Sequence, residues 1–156
     1  NKIDTEVFMT HEIAHALHYT DSPKFYFENE KQQKHIGRQI ITEGLATYFS
    51  KTVLGISGEK ALWGEYLAID TLTKWMNDCQ KQFDTIRTVV KNNFYSTDNR
   101  LGLFYANDKE DILNFRAGYY AGLKLVEQIT KSQNISLMEL SKIPREKFEK
   151  LILSLL

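Results

Sequence analysis

The segment His11-Glu12-Ile13-Ala14-His15 constrains this chain more than any other feature. Two histidines four residues apart share one face, one turn apart, when the segment is an α-helix. The flanking residues agree with that conformation. Asp4 is placed as an N-cap, with Ile3 and Phe8 at the two positions of a hydrophobic staple. Asp21, Ser22 and Pro23 supply the stop. Val7, Phe8, Met9, Ile13, Ala14, Ala16 and Leu17 cover nearly every side of a helix running to about Tyr19. That distribution predicts a central helix surrounded by other elements.

The rest of the chain also reads as helical. Lys24-Phe25-Tyr26-Phe27 is ambiguous between a short strand and an aromatic loop wall. Ile40, Ile41, Ala46, Phe49 and Val53 predict a helix from about Gly37 to Leu54, closed by Gly55. Leu62, Tyr66, Ile69, Leu72, Trp75 and Met76 form one apolar stripe of a helical region from Glu59 towards Phe94, with a break expected near Asn77 to Lys81. Tyr95 to Asp108 has the polar and glycine content of a long loop. A further helix is expected over Lys109 to Lys131, and Ser136 with Glu139 forms a capping-box pattern. Pro144 suits the first turn of a last helix through Phe148, Leu151 and Ile152. The expectation is an all-α fold, with residues 1–156 as a single domain. The chain starts at Asn1, a few residues before its strongest signal, so we expect a C-terminal piece of a longer protein.

Charge excludes some functions. With 20 Lys+Arg against 20 Asp+Glu, spread along the chain, there is no field to attract nucleic acid or an anionic bilayer. No apolar run reaches the roughly 18 residues needed for a membrane segment. The one cysteine, Cys79, cannot form an internal disulfide and is compatible with a reducing compartment such as the cytoplasm.

Two imidazoles one turn apart can reach one divalent ion, and zinc accepts about four tetrahedral ligands at roughly 2 Å. The pattern HExxH arises on the order of once per hundred shuffled sequences of this composition, which favours a real site over coincidence. Glu12 then projects to the side where a general base is required. Its role would be proton transfer, not ligation. A third ligand must come from elsewhere. The elongated zincin pattern is disfavoured, because His18 stands where it asks for glycine and Asp21 where it asks for histidine. Glu43, in Thr42-Glu43-Gly44-Leu45-Ala46 on the second helix, fits a His, His, Glu set, with Asp21 as the alternative.

These features resemble the DUF2268 family of predicted zinc-dependent peptidases in the gluzincin group. The resemblance rests on HExxH, on Glu-Gly-Leu-Ala at 43–46, on Gly-Tyr-x-x-Gly at 118–122, and on the closing Ser-Leu-x-Glu-Leu and Pro-x-x-x-Phe. It implies a metallopeptidase acting on a peptide or protein substrate, with one zinc ion per chain held by His11, His15 and Glu43, and Glu12 as base. It also implies a helical, zincin-like subdomain. Relatives of the clan carry a β-rich segment before the HExxH helix, expected to align the substrate, and residues 1–156 are expected to hold only the helical part. Tyr119 matches the family's tyrosine position and is the candidate donor to the developing oxyanion. Tyr119 and Tyr120 stand about 100° apart on a helix, so at most one faces the metal, and a buried tyrosine also commonly serves a carbonyl.

Two other readings compete. One is a helical binding or structural module that retains a zinc site without an open coordination position. The other is a dinuclear carboxylate site, since Glu12-x-x-His15 is also a Glu-x-x-His pair, but no other histidine has a glutamate three residues before it. His18 is expected to be packed or hydrogen-bonded, and His35 exposed. Thr47 either orients a ligand or is an ordinary helical threonine. Trp63, Trp75 and Tyr66 are expected in the core, and Cys79 is a bystander.

Overall fold

The computed structural model describes residues 3–27, 29–98 and 101–156. Its frame is a pair of helices, α4 (Ile36–Leu54) and α8 (Ala117–Gln133), which pack on each other more extensively than any other pair among the described residues. Glycine makes that contact possible. A Cβ on Gly44 would lie 2.5 Å from the Gly122 carbonyl, and one on Gly122 would lie 2.6 Å from the Ile40 carbonyl oxygen. Two backbones therefore touch where side chains would hold them apart. Ile40, Ile41 and Leu45 from α4, and Leu123, Leu125 and Ile129 from α8, fill the core around this crossing.

The other helices surround this pair. In chain order they are α1 (Thr5–Asp21), α2 (Lys24–Phe27), α3 (Glu30–Gln33), then α5 (Gly58–Trp63), α6 (Ile69–Lys81) and α7 (Phe83–Asn92) after α4, and α9 (Leu137–Ser141) and α10 (Arg145–Leu155) after α8. The described residues hold no strand, only an isolated antiparallel bridge between Ala106 and Phe115. The fold is mainly helical, as the periodicity predicts. The expected caps form: the Asp4 carboxylate accepts from the Val7 amide, Gly55 ends α4 in the left-handed conformation, and Ser136 and Glu139 make a reciprocal capping box.

Several expectations are corrected. Helix α1 is not central: only Val7, Ala14 and His18 are buried, while Phe8, Met9, Ile13 and Leu17 are each about half exposed, at 51, 51, 49 and 48%. It lies across α4 with one stripe inward and an apolar face outward. The proposed staple residues Ile3 and Phe8 stay exposed as well. Lys24–Phe27 is a helical turn, not a strand, with Phe25 packed at 4.6 Å from the His18 ring.

The region 59–94 breaks in two places, one of them just past the expected Asn77 to Lys81. Gly64 (φ 57°, ψ −125°) adopts a conformation closed to other residues and ends α5. Tyr66 and Ile69 are consequently exposed instead of in the stripe. The second break falls at Gln82, because α6 continues through 77–81, with a Lys74 to Asp78 ion pair one turn apart. Helix α8 starts at Ala117, not near Lys109. The Asp108 and Asp111 carboxylates accept from the amides of Glu110 and Leu113, local bonds that compete with a helix. A 3-10 turn, Ile112–Asn114, takes its place. The loop expected over Tyr95 to Asp108 is present, with residues 99 and 100 outside the described residues.

Candidate metal centre

The buried stripe of α1 carries the two histidines against α4, and α4 presents Glu43 to them. Glu43 Oε2 lies 3.1 Å from His11 Nε2 and 3.5 Å from His15 Nε2, and the two ring nitrogens are 3.2 Å apart. A tetrahedron with bonds of roughly 2 Å has edges of about 3.3 Å, so the three atoms stand at the spacing a zinc ion needs. A borderline cation suits two imidazoles and one carboxylate. Among the described residues these three form the one group of such ligands close enough to hold a metal ion. The dinuclear alternative, which the sequence already disfavours, finds no second cluster among the described residues.

Electrostatics matches the geometry. Burial alone would raise the Glu43 pKa, but hydrogen bonds and charge from both histidines outweigh it and pull the carboxyl down to about 2. Burial likewise opposes charge on His15, yet Glu43 beside it leaves the pKa raised above 6.5. A carboxylate shared by two imidazoles is a preformed anionic socket.

Glu12 is exposed on α1 and lines a cleft of about 480 Å³, together with Phe8, His11, Trp63, Phe104 and Tyr119. Of the adjacent tyrosines, Tyr119 faces this cleft, with its ring 6.3 Å from that of His11 and 5.8 Å from that of Phe104. Burial, and then the negative charge of Glu43, push its hydroxyl up to about 12, so it stays protonated as a donor. Tyr120 is 4% exposed and packs in the core against Trp75 and Phe83. Gly118 and Gly122 have a packing role: a Cβ on Gly118 would meet Phe104 at 2.7 Å.

The remaining candidates fall away from the centre. Asp21 accepts from the Ser141 hydroxyl at the far end of α1 and does not join the ligand group. His18 is fully buried, with Nδ1 3.0 Å from the Tyr26 hydroxyl, and burial lowers its pKa to about 4. Thr47 bonds the Glu43 carbonyl at 2.8 Å, the ordinary back-bond of a helical threonine. His35 is half-buried beside Tyr95 instead of exposed. Cys79 is buried, and burial raises its thiol pKa.

One residue at the cleft gave no sequence signal. Arg116 precedes α8 in the left-handed conformation (φ 58°), and its guanidinium lies 4.1 Å over the Tyr119 ring and 4.6 Å from that of Trp63. Trp63 is buried, as expected, and also forms part of the cleft wall.

A family model described as "Predicted Zn-dependent protease (DUF2268)" matches residues 1–150. No curated protein and no solved structure matches the chain.

Proposed function

The chain belongs to this family of predicted zinc-dependent proteases, and from that premise we propose that it hydrolyses peptide bonds with one zinc ion held by His11, His15 and Glu43. The observation that carries the reading is the triangle of ligand atoms at 3.1, 3.2 and 3.5 Å, spanning two helices, at the edge of an open cleft. Zinc, when bound, supplies Lewis-acid polarisation of the carbonyl and lowers the pKa of water.

This chain's residues do the rest. Glu12 is too far round the helix to join the ligand group but lines the same cleft. Its carboxylate takes the proton from the attacking water and passes it to the departing amine nitrogen. Tyr119 keeps its phenolic proton and donates a hydrogen bond to the carbonyl oxygen as negative charge develops. His11 and His15 are held by Glu43 before any substrate arrives, which reduces the reorganisation left for the reaction. In this reading residues 1–156 form one helical domain of the gluzincin type. A purely structural metal site would be closed to ligands. The cleft beside His11 supports the catalytic reading over that one.

The test is Glu12→Gln. It should keep the zinc and lower peptide hydrolysis by about 10²- to 10⁴-fold, the usual contribution of a positioned general base. Hydrolysis at the wild-type rate would overturn the mechanism.

A further inference from the structure

Arg116 is placed at some energetic cost. It is a non-glycine residue at φ 58°, where L side chains are disfavoured. It stands at the positive end of α8, whose first turn holds no acidic residue and whose start has no side-chain cap. A cation is unfavourable there. Its guanidinium is half-buried, and burial pulls its pKa below the ordinary value. Among the described residues no carboxylate lies within ion-pair distance of it. Glu43 is felt as a charge, but its oxygen is already committed to His11 and His15. Strain, an opposing helix end and a half-buried cation with no carboxylate partner together favour an anion that is not part of the fold.

The surroundings show where that anion would sit. The guanidinium carbon lies over the Trp63 and Tyr119 rings, at 4.6 and 4.1 Å, contacts that hold the group at the cleft, and beside its hydrogen bond to Tyr119 it has further N–H donors to offer. All three residues line the cleft that also holds His11 and Glu12. A planar fork of donors matches a carboxylate, and the walls from Phe8 and Phe104 suit an apolar chain leading up to it. We propose that Arg116 is a carboxylate anchor that selects substrates bearing a carboxylate close to the bond being cut. This rests on the protease reading above. The carboxylate comes from a free C-terminus or from an acidic side chain, and the arms of the test separate the two.

Three probes are titrated by calorimetry: a neutral tetrapeptide amide, the same tetrapeptide with a free C-terminal carboxylate, and its amide with one glutamate substituted in. Each is measured on metal-free wild type, where zinc cannot supply the attraction, and on zinc-loaded Glu12→Gln, which consumes the probe about 10²- to 10⁴-fold more slowly. One or both carboxylate probes should bind about 10- to 100-fold more tightly than the neutral amide, and the tighter of the two identifies the source. Arg116→Gln should abolish the preference while leaving the neutral amide unchanged, and Arg116→Lys should restore part of it. Equal affinity for all three probes, or an equal loss for the neutral amide in Arg116→Gln, overturns the anchor. Preference through Arg116 without hydrolysis by the zinc-loaded wild type would leave the anchor standing and sink the protease reading alone. Hydrolysis with kcat/KM indifferent to the carboxylate would do the reverse.

Discussion

Glu43 Oε2 and His11 Nε2 stand 3.1 Å apart although 32 residues separate them in the chain. That contact depends on how the helices are stacked. Helix α1 lies across α4, and α4 is set against α8 by the Gly44 and Gly122 backbones. Glu43 is the neighbour of one of those glycines, and Tyr119 stands one turn before the other. The close approach of α4 and α8 therefore places the carboxylate and the phenol beside one another.

Gly44→Ala should disturb that arrangement. Its new methyl would lie 2.5 Å from the Gly122 carbonyl, and backbone cannot give way as a flexible side chain does. We expect a loss of about 1–3 kcal/mol, or a fall in Tm of roughly 3–10 °C, with weaker zinc binding. Gly58→Ala is the control, since its methyl meets only Leu123 at 3.5 Å, an ordinary contact. Thermal unfolding of both variants checks this, and equal Tm values would contradict it.

Tyr119→Phe should lower kcat by about 10- to 100-fold while leaving zinc content and KM nearly unchanged, because the hydroxyl acts on charge that develops only in the transition state. Tyr120→Phe should leave kcat at the wild-type value, since that side chain packs against Trp75 and Phe83. Steady-state kinetics of the two variants side by side decides the assignment. A larger loss of kcat in Tyr120→Phe would reverse it.

His18, which is not itself a ligand, adds a pH dependence of its own. Its folded pKa is lowered to about 4 by burial and by His15, against an ordinary value of 6.5. Between those values the unfolded chain holds the extra proton, so stability falls as pH drops from 6.5 towards 4 and is fully present above 6.5. The contribution is on the order of 3 kcal/mol. Urea unfolding of the metal-free protein should show wild type losing its advantage over His18→Gln between pH 7 and pH 4.5. A gap that does not change with pH would contradict the assignment.

Much of this was legible in the chain because it depends on local chemistry. His11, Glu12 and His15 announce their geometry by spacing, and Gly55, Ser136 with Glu139, and Pro144 mark helix ends that the structure keeps. Glu43 was reachable as a third ligand because an acidic residue among Ile40, Ile41, Leu45 and Ala46 needs a partner. The exposure of α1 was not legible. Phe8, Met9, Ile13 and Leu17 show that a face is apolar, but periodicity does not say whether anything covers it. The stretch 109–116 misled for a related reason. Its apolar residues fit a helix, while Asp108 and Asp111 redirect the backbone and Phe115 pairs with Ala106 across the loop. Arg116 was invisible because its left-handed backbone and its ring contacts depend on Trp63, which lies 53 residues earlier.

The central claim is that His11, His15 and Glu43 hold zinc, and the metal content of the purified chain tests it most directly. Elemental mass spectrometry of chelator-free, zinc-replete protein should give about one zinc per chain, with the ion lost in Glu43→Gln and retained in Asp21→Asn. A folded wild-type chain that takes up no zinc, or one that holds it equally well without the Glu43 carboxylate, would contradict the account.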